Sequence, residues 1–178
     1  MNKNQSNLDT RTFRHTIGLF ATGVTVIATG QPNSFHAMTA NAITSLSLDP
    51  MLILFCLQKK ARMTEYLRQH NGFSVNILRQ SQRDLSTYFA GGWKQDTPPP
   101  FKFLSWQGGP LLENCAAAIG CRLYQILEGG DHWIVIGQVI ALHQGQDPIY
   151  PLIFYRGRYR ELATEPDYEI PAIWDFGW

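Results

Sequence analysis

The clearest secondary-structure pattern in the sequence is CAAAIGCRLYQILEGGDHWIVIGQVIALHQ, residues 115–144. It contains two long β-rich runs, Cys115 to Leu127 and His132 to Gln144, on either side of Glu128-Gly129-Gly130-Asp131. Glycine beside aspartate between two such runs is typical of a tight turn, because glycine adopts the positive φ that these turns require. The sequence therefore predicts an antiparallel hairpin with two long strands.

Shorter β-rich runs lie on both sides of this hairpin. We expect further strands over residues 24–29, 35–42, 43–48, 51–57, 73–78, 151–155 and 159–162. The run 51–57 is continuously apolar, which indicates a strand that is buried on both faces.

Helical patterns are few. A short packing helix is expected from the N-cap residue Asp9 until Gly23, and two more helices over 61–70 and 80–90. Many short strands with few helices favour a mainly β fold, an antiparallel Greek-key barrel with appended helices. No glycine-rich dinucleotide fingerprint follows a strand, which argues against a βαβ nucleotide-binding fold.

Composition limits the classes of function. The length of 178 residues and the 44% hydrophobic content predict one domain over 1–178, with a core barrel over about 11–162 and a tail over 163–178. The 15 Lys and Arg residues nearly balance the 14 Asp and Glu residues, so neither nucleic acid nor an anionic membrane is an expected partner. Three cysteines without metal-ligand spacing predict buried free thiols, no metal site and a cytoplasmic location.

The segment Lys59-Lys60-Ala61-Arg62 lies where a strand ends and a helix begins. Cations are unfavourable at the positive end of the helix dipole, and a bound anion would remove the conflict. A phosphate held by Lys60, Arg62 and the first-turn N–H groups is one interpretation. The alternative is that these long side chains simply extend into water.

Small polar side chains occur along two strands that otherwise have a buried pattern. Met38-Thr39-Ala40-Asn41 is followed by Thr44, Ser45 and Ser47. Hydroxyls, a side-chain amide and backbone N–H groups in such a row suit a flat polar ligand that needs close approach. An ordinary half-exposed pair of strands has the same composition, and composition alone does not separate the two interpretations.

A resemblance in the order of four sequence blocks favours the ligand-binding interpretation. The run HAMTANAITSLSLDP (residues 36–50), continued by Leu52 to Cys56, resembles the flavin-binding signature of the short-chain flavin reductase family. The other three blocks also resemble regions of that family, in the same order: GFSVNIL (72–78) with Gln82, Leu85, Phe89 and Ala90; GDH (130–132) followed by IVIG (134–137); and PLIFYRGRY (151–159).

The resemblance implies an FMN-binding split β-barrel that forms a homodimer. It implies an NAD(P)H-dependent flavin reductase, which transfers hydride from NADH or NADPH to FMN, with FAD possible, and supplies free reduced flavin to a monooxygenase partner. His132 would face the nicotinamide and Asn41 would hold the flavin edge, and these are the expected catalytic residues. The flavin and nicotinamide contacts implied by the resemblance are Met38, Thr39, Ala40, Asn41, Ser45, Leu46, Ser47, Gln58, Lys60, Ala61, Arg62, Phe89, Ala90, Asp131, His132 and Arg156.

Other classes of function stay open beside this one. The family commonly has small hydroxyl residues where this chain has Lys60-Ala61-Arg62-Met63, so fewer hydroxyls are left to contact a flavin phosphate. Two modes of use therefore stay open: flavin is held permanently, or it is exchanged as a substrate. An FMN-holding electron-transfer protein without NAD(P)H activity is the main alternative. An oxygen-using enzyme on the related barrel is a third, and the Gly130-Asp131-His132 sequence argues against it. The tail, with Trp174, Phe176 and Trp178, is expected to cover its own or another subunit.

Overall fold

The computed structural model describes residues 9–162, so the expected tail over 163–178 lies outside the described residues. Its helices are α1 (Thr10–Ile17), α2 (Met63–His70) and α3 (Arg83–Phe89), with a 3-10 turn at Gln80–Gln82 before α3. Its strands are β1 (Thr22–Gly23), β2 (Thr25–Gln31), β3 (Ser34–Ala40), β4 (Ile43–Leu48), β5 (Met51–Gln58), β6 (Gly72–Ile77), β7 (Phe103–Leu104), β8 (Leu111–Leu112), β9 (Ala117–Gly129), β10 (His132–Gln144), β11 (Ile153–Tyr155) and β12 (Arg158–Arg160). None of the described helices is long and apolar enough to cross a membrane.

Seven strands form one antiparallel sheet in the order β3-β2-β6-β9-β10-β5-β4. Its two outermost strands, β3 and β4, are consecutive in the chain and are joined only by Asn41 and Ala42. In a flat sheet these edges would be about 29 Å apart, because neighbouring strands are separated by about 4.8 Å. The sheet is therefore rolled until its edges meet, which confirms the expected mainly β barrel.

Two smaller sheets complete the described part. The strands β1, β11 and β12 form a three-stranded sheet, and β7 pairs with β8. The hairpin of β9 and β10 is confirmed, with Gly129 paired to His132 across a two-residue turn instead of the expected four residues. Gly130 has φ of 70° at the first central position of this turn, a conformation that glycine adopts without strain.

The core lies on both faces of β2. Val24, Val26 and Ala28 belong to one buried cluster, whereas Ile27 belongs to a second cluster beneath α2. The expectation that residues 51–57 are buried on both faces is wrong for the single chain. In β5 the side chains of Ile53, Phe55 and Leu57 are buried, and those between them are only half-buried. A continuous apolar run is thus compatible with one covered face, whereas β2 and β6 have both faces buried.

The first helix differs from its expected form in length and in packing. Asp9 is the N-cap, as expected, and its carboxylate accepts the N–H groups of Arg11 and Thr12 at 2.8 Å. The helix ends at Ile17 and not at Gly23, with Gly18 as its C-cap, and it has no buried residue. Phe13 is 67% exposed and Ile17 is 57% exposed. The apolar face of α1 is therefore not covered by the described part of its own chain.

The three cysteines are free thiols, but they are not equally buried. Cys56 is half-buried on the open face of β5, which corrects the expectation that all three are buried. Burial raises the pKa of the Cys115 thiol to about 11 and that of the Cys121 thiol to about 12. The thiols of Cys115 and Cys121 are therefore protonated and unreactive near neutral pH.

A buried polar network attaches the long loop before β8 to the sheet. Asn76 is fully buried in β6, and its amide donates to the carbonyl of Val26 at 3.1 Å and to Ser74 Oγ at 2.9 Å. Its carbonyl oxygen accepts the N–H of Leu112 at 2.8 Å. Ser74 Oγ in turn donates to the carbonyl of Pro110 at 2.6 Å. Every polar atom of the Asn76 side chain is thus bonded in a dry interior.

We predict that Asn76→Ala destabilises the protein by about 2–4 kcal/mol, because it leaves several buried groups without partners. Urea unfolding at fixed protein concentration measures the change. The control Gln125→Ala, at an exposed site on β9, is expected to change stability by less than about 0.5 kcal/mol. Equal unfolding midpoints for the two variants would contradict the structural role of the network.

Candidate functional site

The corner between β3 and β4 contains the centre of the expected ligand row. Asn41 is exposed there, and its Nδ2 donates to Thr22 Oγ1 at 3.2 Å. Ala40 is buried, and its carbonyl accepts a hydrogen bond from Thr25 Oγ1 at 2.7 Å. Thr39 Oγ1 donates to the carbonyl of Ser86 in α3 at 2.7 Å. The hydroxyl proton of Thr39 is therefore used inside the protein, whereas Asn41 is exposed at the corner.

Further residues of the row lie along the same two strands. Met38 is half-buried and packs against the core cluster beneath α2. Ser45 is paired with Ile53 and Ser47 with Leu52, so Leu46 is the extra residue of a β-bulge. A bulge redirects neighbouring side chains. Ser45 and Leu46 are exposed, whereas Ser47 is half-buried.

The segment 58–62 connects β5 to α2. Lys60 and Arg62 are exposed, and Ala61 packs half-buried against the core beneath α2. Arg62 is the N-cap residue of α2 and provides no side-chain cap. The N–H groups of Thr64 and Glu65 already donate to the carbonyls of Ala61 and Arg62, so among the described residues only the N–H groups of Arg62 and Met63 are open to an anion at this helix start. Lys59 does not contribute, because its Nζ pairs with Glu128 at 2.9 Å and lies 4.8 Å from the ring centre of Trp133.

One buried hydroxyl in this segment has no partner. Thr64 lies in the first turn of α2, is 5% exposed, and its Oγ1 makes no hydrogen bond within the described residues. An orphaned buried hydroxyl is costly unless something completes it. The sequence analysis missed Thr64, because the expected hydroxyls lie one to four positions earlier, where this chain has Lys60-Ala61-Arg62-Met63.

The hairpin turn lies beside this segment. His132 pairs with Gln58 across β10 and β5, and the N–H of Lys59 donates to the carbonyl of Asp131 at 3.1 Å. His132 Nδ1 is 2.7 Å from a carboxylate oxygen of Asp131. This hydrogen bond is the main reason that the pKa of Asp131 is below its usual value, and Arg14 of α1 adds a smaller electrostatic effect. The structure thus brings Gln58, Asp131 and His132 together.

An aromatic stack connects β3 to α2. The rings of His36 and Tyr66 are parallel within 8° and 4.6 Å apart, and Arg62 Nη2 donates to the Tyr66 hydroxyl at 3.2 Å. Burial lowers the pKa of His36, and the positive charge of Arg62 lowers it further. The imidazole is therefore held neutral beside a cation. No local pattern predicts this stack, because His36 and Tyr66 are 30 residues apart on different elements.

Two expected contacts lie at the end of α3. Ala90 is the exposed C-cap, and Phe89 is half-buried in an aromatic cluster, 5.1 Å from Phe101 and 6.0 Å from Phe103. Phe89 therefore packs mainly on the core. The hydrogen bond from Thr39 to Ser86 holds α3 against β3, so Ala90 lies nearer the corner than its sequence position indicates.

Arg156 is connected to the β3–β4 corner through β1, because β11 pairs with β1 at Thr22, the residue that accepts the hydrogen bond of Asn41. It has φ of 52° in the turn between β11 and β12, and its N–H donates to the carbonyl of Gly18 at 2.9 Å. It lines an open cleft of about 1030 Å³ between α1 and that turn. Four further arginines line this cleft, and the sequence analysis did not single them out: Arg11, Arg14, Arg158 and Arg160.

These residues fit a flavin phosphate by the chemistry of their donors. Positive charge or hydrogen-bond capacity is offered in one segment by Lys60, Arg62, the open N–H groups of Arg62 and Met63 and the unpartnered hydroxyl of Thr64. Anions bind at such helix starts, and arginine suits phosphate geometry. The β3–β4 corner offers exposed amide and hydroxyl groups to a polar ring edge. Within residues 9–162, no cluster of side chains is arranged to hold a metal ion.

Comparison with known proteins gives one consistent result. Residues 17–163 match the family described as "Flavin reductase like domain". A flavin-dependent monooxygenase reductase subunit, HsaB, of Mycobacterium tuberculosis is 36% identical over 175 residues, covering 95% of this chain and 90% of that protein. An NADH-dependent flavin reductase of a Rhodococcus species is 36% identical over 152 residues, covering 84% of each chain.

A solved structure gives the same result for the fold. The flavin reductase PheA2 in its native state superposes with a TM-score of 0.81 at 39% identity, covering 88% of this chain and all of that one. The family match spans the β3–β4 corner, the segment 58–62 and the Gly130-Asp131-His132 turn. This chain belongs to the flavin reductase-like family.

Proposed function

We propose that this protein is an NAD(P)H-dependent flavin reductase that transfers hydride from a nicotinamide to FMN or FAD. The proposal rests on one observation. The segment 58–62, which offers donors for a phosphate, lies next to the Asp131-His132 turn, because Gln58 pairs with His132. A reductase needs a place for the flavin and a group that positions the nicotinamide beside it, and these two elements supply both from adjacent strands. Family membership supports the same activity.

Each part of the site has a proposed task. Lys60, Arg62 and the first turn of α2 hold the flavin phosphate, and Thr64 Oγ1 donates to or accepts from the same group. Thr39, Ala40, Asn41, Ser45 and Ser47 border the ring, together with Met38 and Leu46, while Ala61, Phe89 and Ala90 are proposed flanking contacts. The bound flavin supplies the redox chemistry and accepts hydride when the nicotinamide lies about 3–3.5 Å away.

The two proposed catalytic residues act by positioning. The Asn41 amide is exposed at the β3–β4 corner and offers a donor to the flavin edge that gains negative charge. His132 is oriented by its hydrogen bond to Asp131 and offers its other ring nitrogen, Nε2, to the nicotinamide. No acid or base is required for the hydride step itself, so both residues contribute through geometry and charge.

The proposed substrates and partner follow the relatives. NADH is named in the Rhodococcus relative, and HsaB is named as the reductase subunit of a monooxygenase. We therefore propose NADH as an electron donor, flavin that exchanges freely, and a monooxygenase component as the consumer of reduced flavin. A cytoplasmic location is proposed because the three cysteines are all free thiols.

We also propose a homodimer, in which α1 packs against a second copy of the chain. An eight-residue helix with no buried residue is not stable by itself, because isolated short helices are marginal in water. Its apolar side chains Phe13 and Ile17 share one face and are more than half exposed, as is Phe20 just after the helix. The half-buried outer face of β5 is a second surface that a partner chain would cover.

The first prediction from the proposed function concerns activity. Purified protein is expected to oxidise NADH when FMN is added, and the fall in absorbance at 340 nm measures the rate. His132→Ala is expected to lower kcat/KM for NADH about tenfold, because one hydrogen bond to a charged or polar group of the substrate is lost. Flavin affinity should be unchanged. His143→Ala, at the far end of β10, is the matched control and should behave as wild type.

Two outcomes would contradict the proposal. Failure to oxidise either nucleotide, in a preparation that retains flavin, would favour the electron-transfer alternative. A His132→Ala variant with weaker flavin binding but normal kinetics at saturating flavin would remove His132 from the nicotinamide side.

The second prediction separates the phosphate from the ring. Lys60→Gln and Arg62→Gln are each expected to raise the Kd for FMN about tenfold, because a charge-assisted hydrogen bond is lost. The Kd for riboflavin, which has no phosphate, should not change. Fluorescence titration measures both values, and Lys94→Gln is the control. Equal weakening for FMN and riboflavin would show that these residues do not contact the phosphate.

The third prediction tests the dimer. A Phe13→Ser, Ile17→Ser double variant is expected to sediment as a monomer at concentrations where wild type is a dimer, because the apolar face of α1 is lost. Tyr150→Ser, at another exposed aromatic site, is the control. A wild-type protein that sediments as a monomer over the whole concentration range would reject the proposal.

A further inference from the structure

The stack of His36 on Tyr66 is connected to a cation of the proposed phosphate site. The two rings are 4.6 Å apart, and the ring of His70 lies on from Tyr66 at 6.5 Å and within 15° of parallel. Arg62, Tyr66 and His70 are spaced by four residues, so they share one face at the start and along the length of α2. Arg62 Nη2 donates to the Tyr66 hydroxyl at 3.2 Å. The guanidinium is therefore attached to a ring that is itself packed between other rings.

Both elements that carry the stack are anchored in the core. Helix α2 buries Met63 and Leu67 completely, which fixes it against the sheet. On the other side, His36 is paired with Thr29 of β2. Thr29 is fully buried, and its hydroxyl donates to the carbonyl of Gly72 at 2.6 Å. The stack is thus a fixed point on the wall of the barrel.

The hydrogen bond to Tyr66 holds Arg62 without neutralising it. Arg62 forms no ion pair with any residue between 9 and 162. A carboxylate partner would also fix the guanidinium, but it would cancel the charge that an anion needs. A tyrosine hydroxyl accepts one N–H of Nη2 and leaves the remaining donors of the guanidinium for a ligand. Since burial and Arg62 both lower the pKa of His36, the imidazole beside them is neutral near neutral pH and adds no repulsion.

The held guanidinium belongs to the same turn as the other donors for a phosphate. The open N–H groups of Arg62 and Met63 lie at this helix start, and so does the unpartnered hydroxyl of Thr64. A long exposed side chain normally loses conformational freedom when it binds a ligand, and this loss reduces affinity. A side chain that is already ordered in the free protein avoids most of that loss.

We propose that Tyr66 is a positioning residue for binding of the flavin phosphate: its hydroxyl orders the Arg62 guanidinium before the ligand binds, and His36 keeps the ring of Tyr66 in one orientation. The inference rests on the proposed function, in which Arg62 contacts the phosphate. Tyr66 acts through Arg62 and requires no contact of its own with the flavin.

The variant Tyr66→Phe tests this role, because it keeps the stacked ring and removes the hydroxyl. It is expected to raise the Kd for FMN about threefold to tenfold, the range for ordering one long side chain at a binding surface. The Kd for riboflavin, which has no phosphate, should not change, which would also show that the variant is folded. Fluorescence titration measures both values. Tyr124→Phe, at an exposed site on β9, is the matched control and should bind FMN as wild type.

Two further comparisons separate positioning from packing. In the Arg62→Gln background, Tyr66→Phe should add nothing to the Kd for FMN, because no guanidinium is left to hold. His36→Ala is expected to weaken FMN binding about threefold through loss of one aromatic pair, and His36→Phe, which replaces the flat ring, should restore it. Independent, additive losses from Tyr66→Phe and Arg62→Gln would overturn the inference.

The mobility of Arg62 in the flavin-free protein provides a measurement that does not involve flavin. NMR relaxation at Arg62 Nε is expected to show a restricted side chain in wild type and a more mobile one in Tyr66→Phe. A mobile Arg62 in wild type would overturn the inference, whether or not the protein binds flavin. If Arg62→Gln weakens FMN binding and Tyr66→Phe does not, the inference fails and the proposed phosphate contact stands. If neither variant weakens FMN binding, the phosphate contact fails with it.

Discussion

The barrel closes because β3 and β4 are joined by a link of only two residues. These strands are the outer edges of a seven-stranded sheet, yet Asn41 and Ala42 alone connect them. The sheet must therefore roll until its edges approach, and the Cys56 N–H donates to the carbonyl of Ala42 at 3.0 Å beside that link. The seam of the barrel is thus fixed by chain length, before any side chain is considered.

The seam also positions the residues of the proposed flavin site. Asn41, in the link itself, and Ser45, on β4, are exposed. Helix α2 lies over β2 and β3, and the stacking of His36 on Tyr66 brings Arg62 to the same side. Both β4 and β10 pair with β5, which sets the corner and the Asp131-His132 turn on the two sides of the strand that leads into residues 58–62. Three segments distant in sequence are thus carried by neighbouring elements.

Sequence reasoning succeeded where local chemistry decides structure. The Gly130-Asp131 turn, the Asp9 cap and the stop at Asn71, which has φ of 54°, all follow from residues next to one another. It failed where the cover of a face depends on residues distant in sequence. The apolar run of β5 has one face that is only half-buried, and α1 is exposed although its pattern is amphipathic. The stack of His36 on Tyr66 and the orphaned hydroxyl of Thr64 depend on tertiary contacts, which no local pattern encodes.

Helix α1 illustrates how these two levels combine. Its apolar side chains Phe13 and Ile17 are four residues apart and share one face, whereas Arg11 lies on another side. Arg14 is three residues before Ile17, so its side chain borders the apolar face. Arg11 and Arg14 both line the open cleft beside the β11–β12 turn, and Arg14 contributes to the lowered pKa of Asp131 in the hairpin turn. A contact that covered the apolar face would also restrict these arginines, because the helix is a rigid unit of only eight residues. The homodimer proposed above would in this way link assembly to the electrostatics beside the hairpin turn.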